Sequence, residues 1–258
     1  MSKSHHSQNT PVRKILRLAD MPAAIYAIGD IHGCLALYDA LEKEIVADAA
    51  AFDGPKLIIC LGDVVDRGPN TSGTLDRLMG PAPEGFERLV LRGNHEDMMA
   101  SFITAPERMM EWLDFGGEEA LASYGIRPNT SSGFRAERKL LRHKLRTGIP
   151  AEHLNFINDM PLALEVGHLR FAHAGYALAK PAQKQLSDFL LWGPPSRVDS
   201  HSGDEILIHG HVIVDDIEVQ KNRINLDLGA YKSGRLAAMR FTAIKGENKV
   251  IEVTKSKL

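Results

Sequence analysis

The sequence predicts an α/β protein, on three observations. Short apolar runs at 24–28, 57–61 and 89–91 have the length and composition of buried strands. Each is followed by a glycine and a polar residue: Gly29-Asp30, Gly62-Asp63 and Gly93-Asn94. Between the runs, apolar residues recur at helical spacing. Strand, glycine turn and helix therefore alternate, and open α/β sheets gather their sites at the carboxyl ends of such strands.

Taken in order, the first helix is marked by Leu35, Leu37, Leu41, Ile45 and Val46, and the next covers 74–79. Residues 97–160 break the rhythm. Met98, Phe102, Met109, Met110, Trp112 and Leu113, then 120–124, Leu140, Leu141 and Leu145, then Leu154, Phe156 and Ile157 read as a helical insertion or cap. The aromatic and Met residues of 98–113 are expected to pack that cap. Strands return at 162–166, 169–172, 206–208, 224–228 and 236–242. Residues 1–22 read as an N-terminal tail, leaving 23–258 as one domain.

With 258 residues and 44% hydrophobic content, the chain has ample material for a core. A formal net charge of −2 argues against a nucleic-acid surface. No run approaches the roughly 18 apolar residues of a membrane span, and the N-terminus lacks the apolar stretch of a signal peptide. Cys34 and Cys60 are too few and too far apart for a disulfide framework, so free thiols in a reducing, cytoplasmic setting are expected. A monomer is the default.

Five short clusters carry the chemistry. They are Gly29-Asp30-Ile31-His32-Gly33, Gly62-Asp63-Val64-Val65-Asp66-Arg67-Gly68, Gly93-Asn94-His95-Glu96, His173-Ala174-Gly175 and His209-Gly210-His211. Aspartate, histidine and asparagine suit Mn²⁺, Zn²⁺ or Fe ions in phosphate chemistry. Two divalent cations roughly 3.5–4 Å apart can hold a bridging hydroxide and steady an in-line displacement at phosphorus. They repel each other, so a shared anionic ligand is needed, and Asp63 is the candidate bridge. Asp30 and His32 would complete one site, and Asn94, His173 and His211 the other. Neutral ligands leave the centre with a small net positive charge, which attracts a phosphate dianion. His95 could protonate the leaving oxygen, with Asp66 orienting it and raising its pKa. Arg67 and Arg92 could clamp phosphate oxygens.

Together these motifs resemble the calcineurin-like metallophosphoesterases, and within them the bacterial branch of the phosphoprotein phosphatases. The match also takes in Leu91-Arg92-Gly93-Asn94-His95-Glu96, Phe115-Gly116-Gly117 with Ser123-Tyr124-Gly125, and Leu226-Asp227-Leu228-Gly229-Ala230. The resemblance implies a two-sheet β-sandwich flanked by helices, a bimetal centre and direct hydrolysis without a phosphoenzyme. It assigns Asp30, His32, Asp63, Asn94, His173 and His211 to the metals, His95 and Asp66 to the acid pair, and Arg67 and Arg92 to phosphate. Mn is the metal expected, with Fe or Zn as alternatives. The substrates implied are phosphoserine and phosphothreonine in proteins, with a dinucleoside polyphosphate as the alternative and a scaffold without catalysis as the bland one. One departure stands out: the family's Trp-x-Arg reads Trp192-Gly193-Pro194 here, and Arg197 is the next arginine.

Other polar residues have ordinary readings. His143, His153, His168 and His201 lack motifs and are expected in loops or at the surface, and His209 is expected to support His211. Arg135, Arg138, Lys139, Arg142 and Arg146 line one helical face, read as solvated. Asp215-Asp216 are expected on a polar turn without a role.

Overall fold

The computed structural model describes residues 15–128, 135–243 and 247–255. The chain opens with β1 (Ile15–Leu18), β2 (Ala24–Ile28), α1 (Leu35–Ala49), β3 (Lys56–Cys60), α2 (Thr71–Met79) and β4 (Phe86–Val90). The insertion follows as α3 (Asn94–Thr104), α4 (Gly117–Ser123), α5 (Arg135–Gly148) and α6 (Ala151–Asp159). Then come β5 (Ala163–Val166), β6 (Leu169–Ala172), α7 (Ser187–Trp192), β7 (Ile206–His209), β8 (Glu218–Val219) and β9 (Arg223–Asn225). A short α8 (Ala230–Ser233), β10 (Arg235–Phe241) and β11 (Lys249–Thr254) close the chain.

Two sheets result. One runs β11-β10-β2-β3-β4 and the other β1-β5-β6-β7-β9-β8. Alternation along the strands explains how they stack. In β2 and the run through β3, Ile25, Ala27, Leu57, Ile59 and Leu61 turn towards Phe171, Ile208 and Ile224 of the second sheet. Their neighbours Tyr26, Ile28, Ile58 and Cys60 join Leu37, Leu41 and Ile45 of α1 and the apolar residues of α3. Strands buried on both faces carry few polar residues, hence the continuous apolar runs. Phe171 and Phe241 meet edge to face at 5.8 Å across the interior of the sandwich.

β2, β3 and β4 pair in parallel, as do β6, β7 and β9. All five ligand clusters begin at or just beyond the carboxyl end of β2, β3, β4, β6 or β7. The loops after β2 and β9 meet so closely that a Cβ on Gly29 would sit 2.1 Å from the Leu226 carbonyl oxygen.

The expectation of a tail through residue 22 needs correction. Ile15–Leu18 forms β1, which pairs in parallel with β5 from Ile15↔Ala163 to Leu18↔Val166. β8 and β11 form where the sequence predicts no strand, β8 being two residues long and β11 carrying charged residues among its apolar ones. Both cysteines are free thiols, Cys60 buried in β3 and Cys34 at the start of α1. No described helix is long and apolar enough to cross a membrane.

Candidate metal centre and its surroundings

Glycine-bounded turns let the strand ends coil back on themselves, and the ligand residues accept the strain. Among the described residues, the non-glycine residues with positive φ are His32 (45°), Asp63 (48°), Asp66 (69°), Arg67 (62°) and His211 (70°). Every one belongs to a ligand cluster. Such conformations are disfavoured for residues with a Cβ and gather at functional sites.

The turns bring two donor groups together around Asp63: Asp63 with His32 and His95, and Asp63 with His173 and His211. In each group the donor atoms lie within 4.8 Å of one another. Asn94 joins the second, its Oδ1 2.8 Å from His173 Nε2 and 3.0 Å from His211 Nδ1. Asp30 lies beside His211, whose backbone N–H donates to Asp30 Oδ2 at 3.1 Å. Asp30, His32, Asp63, Asn94, His173 and His211 are therefore assembled at one place, with Asp63 common to both halves.

The donor set fits divalent cations. His32 donates Nδ1–H to the Val65 carbonyl at 2.8 Å and His173 donates Nδ1–H to that of Leu61 at 3.2 Å. Each is left with an Nε2 lone pair facing the cluster, the arrangement that orients imidazole ligands. Burial pushes His32 down to about 3 and His211 to about 4, and it lowers His173, keeping all three in the neutral ligating form. Burial would raise Asp63, but its surroundings, with the raised His95 imidazole and the His95 backbone N–H among them, outweigh it and hold that carboxylate low. Asp30 is driven well above the carboxylate range by burial and by the charges of Asp227 and Asp63. Carboxylates crowded among neutral imidazoles form a site for cations.

His95 stands at the edge of this group. Its Nδ1–H donates to Asp66 Oδ2 at 2.7 Å, and its Nε2 lies 3.8 Å from Asp63 Oδ2. Burial alone would lower its pKa, but Asp63 and Asp66 outweigh that and hold the imidazole above its usual range. Arg67 is half-buried, with Nη1 3.1 Å from His32 Nε2 and the guanidinium 5.0 Å from the centre of the Tyr231 ring. It faces the cluster through His32.

Arg92 does not. Its buried guanidinium donates to the Ile157 carbonyl at 2.7 Å and to Asp97 Oδ1 at 3.0 Å. That bonding ties the loop after β4 to the end of α6. Arg197 lies over the Phe189 ring at 5.4 Å and lines a cavity of about 450 Å³ with Lys180 and Lys184. His209 is fully buried in β7, its Nδ1–H donating to the Gly210 carbonyl at 2.8 Å. His153 is no surface residue: it is buried, with Nε2–H donating to Asp76 at 2.9 Å and Nδ1 2.7 Å from the Tyr124 hydroxyl. On α5, Lys139, Arg142 and Arg146 are exposed and Arg142 pairs with Glu107. The side chains of Arg135 and Arg138 lie outside the described residues.

Three further residues matter that sequence reasoning gave no role. Glu96 accepts four backbone N–H groups, from Asp63, Val64, Val65 and Gly93, at 2.7–3.1 Å. Asp227, pushed up to about 6 by burial, accepts the Gly229 N–H at 2.8 Å, and its charge helps raise Asp30. Trp112 was expected only to pack the cap, yet its Nε1–H donates to Asp66 Oδ2 at 2.6 Å. Only Asp227 and Glu96 lay within motifs that could have flagged them.

A two-sheet sandwich whose strand ends converge on aspartates, histidines and an asparagine defines the class: a metal-binding hydrolase acting on phosphoester bonds. More particularly, the family model for calcineurin-like phosphoesterases matches residues 23–227, and the chain belongs to that family. Among curated relatives, it is 25% identical to the asymmetrical bis(5'-nucleosyl)-tetraphosphatase PrpE of Anoxybacillus flavithermus, covering 83% of this chain and 89% of that protein. It is 29% identical to serine/threonine-protein phosphatase 2 of Escherichia coli, covering 83% of this chain and 90% of that one. A solved structure described as a putative diadenosine tetraphosphatase superposes with a TM-score of 0.62 at 18% identity, covering 94% of this chain and 98% of that one.

Proposed function

We propose that the chain hydrolyses phosphomonoesters of alcohols, phosphoserine and phosphothreonine in proteins first among them. The observation that carries this reading is the buried His95–Asp66 pair beside the ligand cluster, closed by a 2.7 Å hydrogen bond. A serine or threonine alkoxide is a poor leaving group and needs a proton as it departs. A nucleotide leaving from a polyphosphate needs one far less. A protonated imidazole held beside the centre supports the first demand.

Asp30, His32, Asp63, Asn94, His173 and His211 would hold two divalent cations, with Mn proposed and Fe or Zn as alternatives. Bound there, the ions activate water and stabilise charge at phosphorus. Arg67 offers its guanidinium to the phosphate oxygens. Water supplies the new P–O bond, and the ester P–O bond breaks in line with it. His95 gives its Nε2 proton to the departing alkoxide and regains one from solvent. Asp66 keeps the imidazole oriented throughout.

A second reading is hydrolysis of dinucleoside polyphosphates. It is favoured by a cavity of about 560 Å³ that Gly33 and Tyr231 line right beside His32 and Arg67. That volume lies within the roughly 300–1,000 Å³ of small-molecule sites. The PrpE relatives are named for that activity.

A side-by-side assay with Mn²⁺ tests the choice, comparing phosphoserine and phosphothreonine peptides with diadenosine tetraphosphate at matched concentrations. Preference for the peptides is expected. Preference for the dinucleotide would overturn the first reading and leave the second.

A further inference from the structure

We propose that Trp112 is a positioning residue for ester cleavage: its indole N–H fixes the Asp66 carboxylate and, through it, the imidazole of His95. The inference rests on the reading of His95 as the general acid.

Asp66 Oδ2 accepts two hydrogen bonds, from Trp112 Nε1–H at 2.6 Å and from His95 Nδ1–H at 2.7 Å. The other oxygen, Oδ1, is buried without a partner among the described residues. Rotation of the carboxylate is therefore restrained chiefly by the two donors on Oδ2. Remove the indole N–H and the imbalance grows: a fully buried carboxylate is left with the imidazole as its one side-chain donor, and the pair can swing together. The indole itself has little freedom. It is fully buried, packs on Phe102 at 4.8 Å, and lies so close to Gly117 that a Cβ there would come within 2.5 Å of the ring.

The same segment grips the next residue of the turn. Arg67 N–H donates to the Gly116 carbonyl at 3.1 Å, and a Cβ on Gly116 would meet the Arg67 backbone and Cγ at 2.6 Å. Asp66 and Arg67, both at positive φ, are thus held by one stretch of the helical insertion. The insertion reaches the reaction centre through Trp112.

A packing role and a positioning role differ in one measurable respect. An orienting group for the acid matters in proportion to how badly the leaving oxygen needs a proton. The experiment loads the full-length enzyme with Mn²⁺ and compares turnover of a phosphoserine peptide with that of p-nitrophenyl phosphate, whose leaving group departs unaided. The proteins are wild type, Trp112→Phe, a form with benzothienylalanine at position 112, and His95→Asn. Benzothienylalanine keeps the bicyclic ring and lacks only the N–H. Both rates come from the same sample, so a reduced folded fraction scales them equally and leaves their ratio unchanged.

Both changes at position 112 should lose about tenfold more turnover on the phosphoserine peptide than on the aryl ester, a fraction of what a general acid supplies. KM and metal content should stay at wild-type values. His95→Asn should show the same pattern, larger. Leaving-group dependence in His95→Asn but not at position 112 overturns the role of Trp112 alone. Absence of that dependence in His95→Asn overturns the acid reading and the role of Trp112 with it.

Discussion

Glu96 Oε2 accepts the backbone N–H of Asp63 at 2.8 Å, across 33 residues of chain. The bond is returned in kind, since Asp63 Oδ1 accepts the backbone N–H of His95, next to Glu96, at 3.0 Å. Two loops from neighbouring strands thus hold each other through opposed carboxylates, and the shared ligand sits at the join. Replacing Glu96 with Gln puts an amide N–H₂ where backbone donors converge. Hydrogen bonds to charged groups contribute about 1.5–3 kcal/mol each, and Glu96→Gln should lose roughly 2–4 kcal/mol by urea unfolding and hold metal less tightly. An unchanged unfolding midpoint would show that the four amides find other partners.

The metal and acid assignments separate by mutation. Asp30→Asn should retain less Mn after gel filtration, measured by elemental analysis. His95→Asn should retain the wild-type amount while turnover on alkyl phosphates falls about 10²–10⁴-fold. Because His95 also lies within reach of His32 and Asp63, metal loss in His95→Asn would make it a ligand rather than the acid.

Gly210 is packed against a carboxylate. A Cβ there would stand 1.9 Å from Asp30 Oδ1, so Gly210→Ala must push Asp30 out of place. Displacement near 1 Å costs on the order of 10²-fold in rate. Metal content should fall along with activity, and a variant with both intact would mean that the loop yields without moving Asp30.

Acid should loosen the first sheet through Asp48. Its carboxylate accepts from Lys249 Nζ at 2.6 Å, Arg240 Nη1 at 2.8 Å and the Tyr26 hydroxyl at 2.9 Å. Burial would raise its pKa, but these donors outweigh it and hold it below the ordinary value. A folded pKa below the unfolded one gives stability that is fully present above about pH 4 and is lost as pH falls through the folded value. Asp48→Asn should be less stable than wild type by roughly 1.5–3 kcal/mol at neutral pH, with the gap narrowing below about pH 4. A gap that stays constant down to acid pH would count against the ionised contact.

Much of the centre was legible because its ligands sit in local words. Asp30-Ile31-His32 and Asn94-His95 each follow a strand directly, so chain order alone gathers them at one end of the sheets. Trp112 escaped because it meets Asp66 across 46 residues, and a tryptophan in a Met-rich stretch reads as core. Arg92 is a related case. It neighbours two residues assigned to the site, but its side chain turns towards Ile157, and adjacency in sequence does not fix side-chain direction. β1 was lost because four residues, Ile-Leu-Arg-Leu, are too few to distinguish a strand from a tail until a partner edge exists.

The left-handed backbone at His32, Asp63, Asp66, Arg67 and His211 sets selection for robustness against selection for turnover. At each of these positions glycine would relieve about 1–2 kcal/mol of steric cost, while deleting a side chain on which the proposed chemistry depends. A library screened for heat tolerance alone should therefore admit glycine at the partly buried Arg67 and His211 before the hydrogen-bonded Asp63 and Asp66, yielding proteins that no longer turn over substrate.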